Sequence, residues 1–309
     1  MDFTKPVFGQ KKLILCGHRG DRTGEDENTM AAFRRAVENG CDMIETDVHR
    51  TKDGVIVLRH DSLVPGAGEI KECTYEELKT AGPDLAKLEE LAALAAENPE
   101  LGLLIELKDV PPSSPGGSDA RLTHPAPYSG QLTECSGLVR GPQEKEKPTE
   151  AAQRIHGSYG TSLSPDDRQA LECADEAARI LLEYGLGNRV WILSFSGSIL
   201  EYVYKKYGRA FHYHAFYPWF IMGDMETDPA EFCELACMQH RYLSKEGLVV
   251  HYEDPLCPES WWKDVLAMKM IPVGAPSLLT EENYRKAMEY GCGMINADDP
   301  VRIRSLFEP

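Results

Sequence analysis

Short apolar runs alternate with amphipathic ones along most of this chain, and several apolar runs end abruptly in ionisable residues. Leu13–Cys16, Asp42–Val48, Val55–His60, Leu103–Leu107, Val190–Phe195, Phe211–Phe216, Leu248–Tyr252, Met270–Val273 and Met294–Asn296 read as strands. Helical spacing separates them. Asn28 or Thr29 can cap a helix with Met30, Phe33 and Val37 on one face and Gly40 as its stop. Leu88, Leu91 and Leu94 line a helix over Leu85–Glu97. Further helices are expected over Gln169–Tyr184, after the Val190–Phe195 strand through Tyr207, near Phe232–His240, over Trp261–Met268 and over Glu281–Tyr290.

This alternation predicts a parallel sheet, and its count suits a single closed TIM (β/α)₈ barrel spanning residues 1–309. The strand candidates exceed eight by one, so one short extended piece lies outside the barrel. The link between Asp42–Val48 and Val55–His60 is too short for a helix; Val48–Lys52 runs back extended instead, with Asp53-Gly54 as the turn. The barrel is therefore expected to lack the helix between its second and third strands. Asp109–Asp167 has another character, with Pro111-Pro112-Ser113-Ser114-Pro115-Gly116-Gly117, Gly141-Pro142 and the alternating charges Glu144-Lys145-Glu146-Lys147. Insertions this long are either functional or disordered, and this one leaves the strand end that would form the catalytic face.

Ionisable residues at four strand ends set the chemistry. His18-Arg19-Gly20, Glu45-x-Asp47, His60-Asp61 and Glu106-x-Lys108 each close an apolar run. Strand alternation puts Ile44, Thr46 and Val48 on one side with Glu45 and Asp47 on the other, and it opposes Leu103, Ile105 and Leu107 to Glu106 and Lys108. A half-exposed sheet gives the same pattern, but a parallel barrel buries both faces, leaving the acidic side at the mouth. Three carboxylates gathered there repel by about 4 kcal/mol per pair at 4 Å and an effective dielectric near 20. A divalent cation offsets that repulsion, and oxygen ligands favour Mg²⁺ or Ca²⁺. His18 and His60 are candidates for an acid–base pair because imidazole exchanges protons near neutral pH. Arg19 and Lys108 can balance phosphate charge. His49, His124, His156, His212, His214, His240 and His251 read as packed or solvated.

Bulk properties narrow the field. Of 309 residues, 42% are apolar, enough for a sizeable core, and the net charge of −17 argues against nucleic acid or anionic membrane as partners. Nine cysteines without paired metal spacing read as reduced thiols, and Met1–Lys12 has no signal-like apolar stretch. No window approaches the roughly 20 apolar residues of a membrane span. These features lead to the expectation of a cytoplasmic protein without stable membrane association.

The run His18-Arg19-Gly20, Glu27-Asn28-Thr29, Ala32-Phe33, Gly40, Ile44-Glu45-x-Asp47-Val48, Thr51-Lys52-Asp53-Gly54, Val57 and His60-Asp61 resembles the glycerophosphodiester phosphodiesterase family. Leu88-Glu89-Glu90, Glu106-x-Lys108, Ser194-Phe195 and Ile295-Asn296-Ala297-Asp298-Asp299-Pro300 extend the resemblance along the chain. It implies a TIM barrel that hydrolyses glycerophosphodiesters to glycerol 3-phosphate and an alcohol with one divalent cation, Mg²⁺ or Ca²⁺. By the same resemblance, Glu45, Asp47 and Glu106 hold the metal, His18 and His60 are the acid–base pair, and Arg19 and Lys108 contact phosphate. The expected route passes through a cyclic phosphate.

Asp26 stands where the family usually has Pro, and Gly274-Ala275 where it commonly has Trp-Thr, which removes a wall of the substrate pocket. Phe216, Tyr217, Trp219 and Phe220 are candidates to replace that wall, or else core aromatics. Two rival functions remain: a lysophospholipase D-like lipid phosphodiesterase, and a barrel that has lost catalysis and only binds phosphorylated ligands. The second predicts losses among the seven site positions, all of which are present.

Overall fold

The computed structural model describes residues 13–109, 165–217, 219, 222, 225–238, 241–243, 249–251 and 255–307. Eight parallel strands close on themselves: β1 (Ile14–Gly17), β2 (Met43–Arg50), β3 (Gly102–Leu107), β4 (Val190–Leu193), β5 (His212–Tyr217), β6 (Leu235–Met238), β7 (Ile271–Gly274) and β8 (Met294–Ala297). The ring shuts where β1 pairs with both β8 and β2. This is the expected TIM barrel. Of the insertion placed at 109–167, residues 110–164 lie outside the described residues.

The helices are α1 (Met30–Glu38), α2 (Tyr75–Ala81), α3 (Leu88–Glu97), α4 (Pro165–Glu183), α5 (Gly197–Tyr207), α6 (Glu259–Ala267), α7 (Glu281–Glu289) and α8 (Pro300–Phe307). In α1 the inward stripe is Ala32, Phe33 and Ala36, started by a Thr29 cap whose hydroxyl accepts the Ala32 amide. In α3 it is Leu88, Leu91, Ala92 and Ala95. None of the described helices is long and apolar enough to cross a membrane, and every described cysteine is a free thiol.

Two strand assignments change. No helix separates the second and third predicted strands, as expected, yet Ile56–Leu58 is not a barrel strand: it turns back antiparallel along the end of β2. The chain then makes a small hairpin, α2 and a bridge back to Ile56–Leu58 before α3 leads into β3, so β2 and β3 do have a crossover helix. The second change concerns Phe232–His240, where the predicted helix is instead a 3₁₀ turn, Pro229–Glu231, followed by β6. Leu235-Ala236-Cys237-Met238 is buried on both faces, and a continuous apolar run carries no strand alternation to read. Val249–His251 pairs with Arg241–Leu243 in a separate antiparallel hairpin. Among the described residues, the link without an α-helix is that from β5 to β6.

Register fixes which side chains face the barrel axis. Asp47 stands beside Glu106, Glu106 beside Leu193, and Leu193 beside His214. Going the other way, Met43 stands beside Cys16, and Cys16 beside Asn296. Partners in a parallel ladder share a face, so Glu45, Asp47 and Glu106 belong to one interior surface with Trp191, His214 and Asn296.

Candidate active site

Alternation along β2 and β3 brings the three acidic residues together. Glu45, Asp47 and Glu106 each offer an oxygen within 4.8 Å of the others. All are buried, at 2%, 1% and 8% exposure. Burial, reinforced by Asp47 and Glu106, pushes the Glu45 carboxyl well above its usual range. Asp47 goes the other way: burial opposes its charge, but Lys108, Arg19 and His60 outweigh it and hold it well below. One carboxyl that resists ionising beside two others marks a site short of positive charge. Three oxygen donors suit a hard divalent cation, so these residues fit Mg²⁺ or Ca²⁺.

The loop after β1 supplies the cationic wall. Its first turn is left-handed at Arg19 (φ 59°) and Gly20 (φ 89°), and Asn28 (φ 54°) closes it by donating its amide to the Arg19 carbonyl at 3.0 Å. That geometry aims the Arg19 amide at Glu45 Oε2, 2.9 Å away, and sets its Nε 3.3 Å from Asp47 Oδ2. The Asn28 side chain donates to Asp47 Oδ2 at 2.9 Å and accepts the Thr46 hydroxyl at 2.6 Å. From the other side Lys108 Nζ lies 2.9 Å from Glu106 and 3.4 Å from Asp47.

Gly20 is irreplaceable on two counts: its φ disfavours a side chain, and an added Cβ would sit 2.8 Å from Ala32 in α1. Gly20→Ala should lose about 2 kcal/mol or more of stability, read by urea unfolding. An unchanged midpoint would mean that this loop is not held as described.

Both histidines have a carboxylate on Nδ1. His18 Nδ1 is 2.6 Å from Asp298 Oδ1, and His60 Nδ1 is 2.7 Å from Asp61 Oδ1. Such pairing fixes the ring and leaves proton exchange to Nε2. Burial lowers the His18 pKa, and Arg19 adds to that effect against the opposing Asp298 hydrogen bond. Asp298 also holds Arg22 at 2.8 Å, and Arg22 and Arg19 share Glu27.

Glu45, Asp47, Glu106, Arg19, Lys108 and His18 thus lie within one linked network, and His60 is close enough to act electrostatically on Asp47. Asp298 and His49 were not singled out as site residues. Asp298 follows directly on β8, but its partner is 280 positions away, and no local pattern announces such a pairing. His49 is buried at 3% exposure, between Asp109 and the His60 carbonyl. Burial opposes its charge, but the Asp109 bond prevails and raises its pKa.

The departures acquire local reasons. Asp26 accepts the Thr29 hydroxyl at 2.5 Å and pairs with Arg35, bracing the start of α1. Ala275 leaves a small side chain at the end of β7. Of the four aromatics, Phe216 shares the interior register and stacks on Phe195 at 3.9 Å. Tyr217 is buried with its hydroxyl on Asp264, and Trp219 packs edge-on against it at 4.8 Å. Tyr217 and Trp219 are thus packing residues, whereas Phe220 falls outside the described residues. A cavity of about 260 Å³ opens beside His60, lined by Glu27, Asn28, Leu58, Arg59, Asp61 and Leu85 among others.

Comparison with known proteins follows the same lines. Residues 18–140 match the Glycerophosphoryl diester phosphodiesterase family. The glycerophosphodiester phosphodiesterase of Caldanaerobacter subterraneus is 49% identical over 72 residues, covering 22% of this chain and 30% of that protein. That of Bacillus altitudinis is 36% identical over 110 residues, covering 31% and 45%. The matched segment thus spans less than half the length of these relatives. Among solved structures, a glycerophosphodiester phosphodiesterase from Parabacteroides distasonis superposes with a TM-score of 0.62 at 18% identity, over 96% of this chain and 98% of that one. An Oleispira antarctica phosphodiesterase, in complex with the product sn-glycerol-3-phosphate, gives 0.59 at 16% identity, over 96% of each chain. At these identities the structures show a shared fold.

Proposed function

Because this chain belongs to the glycerophosphoryl diester phosphodiesterase family through its residues 18–140, we propose that it hydrolyses glycerophosphodiesters to glycerol 3-phosphate and an alcohol. One observation carries the reading: three buried carboxylates within 4.8 Å of one another, flanked by two histidines that each have a carboxylate on Nδ1. A phosphate-binding barrel without catalysis has no use for two oriented imidazoles. The product named for the Oleispira antarctica phosphodiesterase supports the same substrate class.

Glu45, Asp47 and Glu106 would hold the divalent cation, which when bound supplies positive charge to the phosphate and acidifies a neighbouring hydroxyl. The chain's own groups do the rest. Arg19 and Lys108, already beside these carboxylates, serve the phosphate oxygens. One histidine removes the proton of the glycerol hydroxyl next to the phosphate, and that oxygen attacks phosphorus to give a cyclic phosphate. The other histidine protonates the departing alcohol. Water then opens the ring with the two roles reversed.

Ring closure needs that neighbouring hydroxyl. In a coupled glycerol 3-phosphate assay, with and without chelator, glycerophosphocholine should turn over, whereas its 2-deoxy analogue should be slower by at least about 10²-fold. Equal rates for the two would refute the cyclic route, and turnover indifferent to chelator would refute the cation.

A further inference from the structure

His49 has both ring nitrogens engaged. Nδ1 lies 2.7 Å from Asp109 Oδ1, and Nε2 lies 3.3 Å from the His60 carbonyl oxygen. A carbonyl can only accept, so in the Nε2 contact the ring is the donor. Asp109 is itself fixed, because it accepts the Arg50 amide at 2.9 Å and Gln169 Nε2 at 3.0 Å. Gln169 comes from α4, and its amide also reaches the Arg50 carbonyl at 2.6 Å. The ends of β2 and β3 and the start of α4 therefore meet on one side of this ring, and His60 lies on the other.

His60 sits where regular pairing gives out. Leu58 opposes Val48, and the Arg59 amide still donates to the Asp47 carbonyl at 3.0 Å. The next residue is His60. Its Nδ1 partner, Asp61, is the adjacent residue and 64% exposed, so that pair orients the ring without tying the segment to the barrel. The His49 side chain is buried and comes from the strand that carries Asp47, two residues away on the same face.

We propose that His49 is a positioning residue for His60. By donating to the His60 carbonyl, it holds that segment at a set distance from the carboxylates, so that the imidazole meets the substrate in line. The proposal rests on the reading of His60 as an acid–base residue.

Two amide replacements separate its two hydrogen bonds. Gln places its NH₂ near the position of Nε2 and can reach the His60 carbonyl, whereas Asn places its NH₂ near Nδ1 and keeps only the Asp109 contact. His49→Gln should stay within about threefold of the parent kcat, and His49→Asn should lose about 10- to 100-fold with KM little changed. A purely structural role would make activity follow the two thermal midpoints instead. Equal kcat for the two variants, or a loss in KM alone, would overturn the proposal. If His49→Gln does not fold, the His49→Asn/His60→Ala double variant decides. The Asn substitution should cost nothing further once the His60 imidazole is gone, and an additive loss would overturn the positioning role. Parent-like turnover in His60→Ala alone would instead overturn the reading of His60 itself.

Discussion

Glu45→Gln should lower kcat by about 10³-fold, close to 4 kcal/mol of transition-state stabilisation, while leaving the cation-free protein at least as stable as the parent. The two effects have one origin. In the folded chain Glu45 is buried at 2% exposure beside Asp47 and Glu106, which raises its pKa. A carboxyl whose folded pKa exceeds its unfolded value contributes fully below the unfolded value, about 4.3, and that contribution is lost as pH rises through the folded one. The cation-free parent should therefore lose stability through that window, and the Gln variant should not. Added Mg²⁺ or Ca²⁺ should stabilise the parent by up to about 2.7 kcal/mol at a hundredfold excess over Kd. Thermal melts with and without the ion provide the check. An undiminished ion-induced shift in Glu45→Gln would mean that the cation binds elsewhere.

The second large effect concerns the histidines. His18→Ala and His60→Ala should each cost about 10²- to 10⁴-fold in kcat, with unfolding midpoints near that of the parent. The pH profile gives a finer readout for His18. Burial lowers its pKa below 6.5, and the Asp298 hydrogen bond pulls it back up. Asp298→Asn removes the upward pull, so the limb of the kcat/KM profile that belongs to His18 should move to lower pH. A limb that stays put, or moves upward, would dissociate that limb from His18.

What the sequence disclosed follows from the range of the interactions involved. Glu45, Asp47 and Glu106 were legible because strand alternation is local, and a two-residue repeat states which side chains share a face. His18 and His60 were legible because each follows directly on an apolar run. The pairing of His18 with Asp298 joins the chain's beginning to its end, and such contacts leave no periodic trace. His49 read as packed or solvated, and only Asp109 against it, 60 positions away, decides for packed. The sixth strand failed for another reason. Phe232, Leu235, Ala236 and Cys237 satisfy helical spacing, and only tertiary burial on both faces selects the extended form. Ile56–Leu58 was recognised as extended, but its direction depended on a turn that could serve either topology.

β2 is the longest strand of the barrel, eight residues from Met43 to Arg50. It carries Glu45, Asp47 and His49 at every second place. With a rise of about 3.3 Å per residue it acts as a ruler, setting the proposed cation ligands Glu45 and Asp47, and then His49, in steps of roughly 6.6 Å. Chemistry written on a single ruler has a single point of failure. An insertion of one residue before Glu45 would turn all three marks toward the helices together, whereas the same insertion in the Lys52–Gly54 bend would leave every mark where it stands.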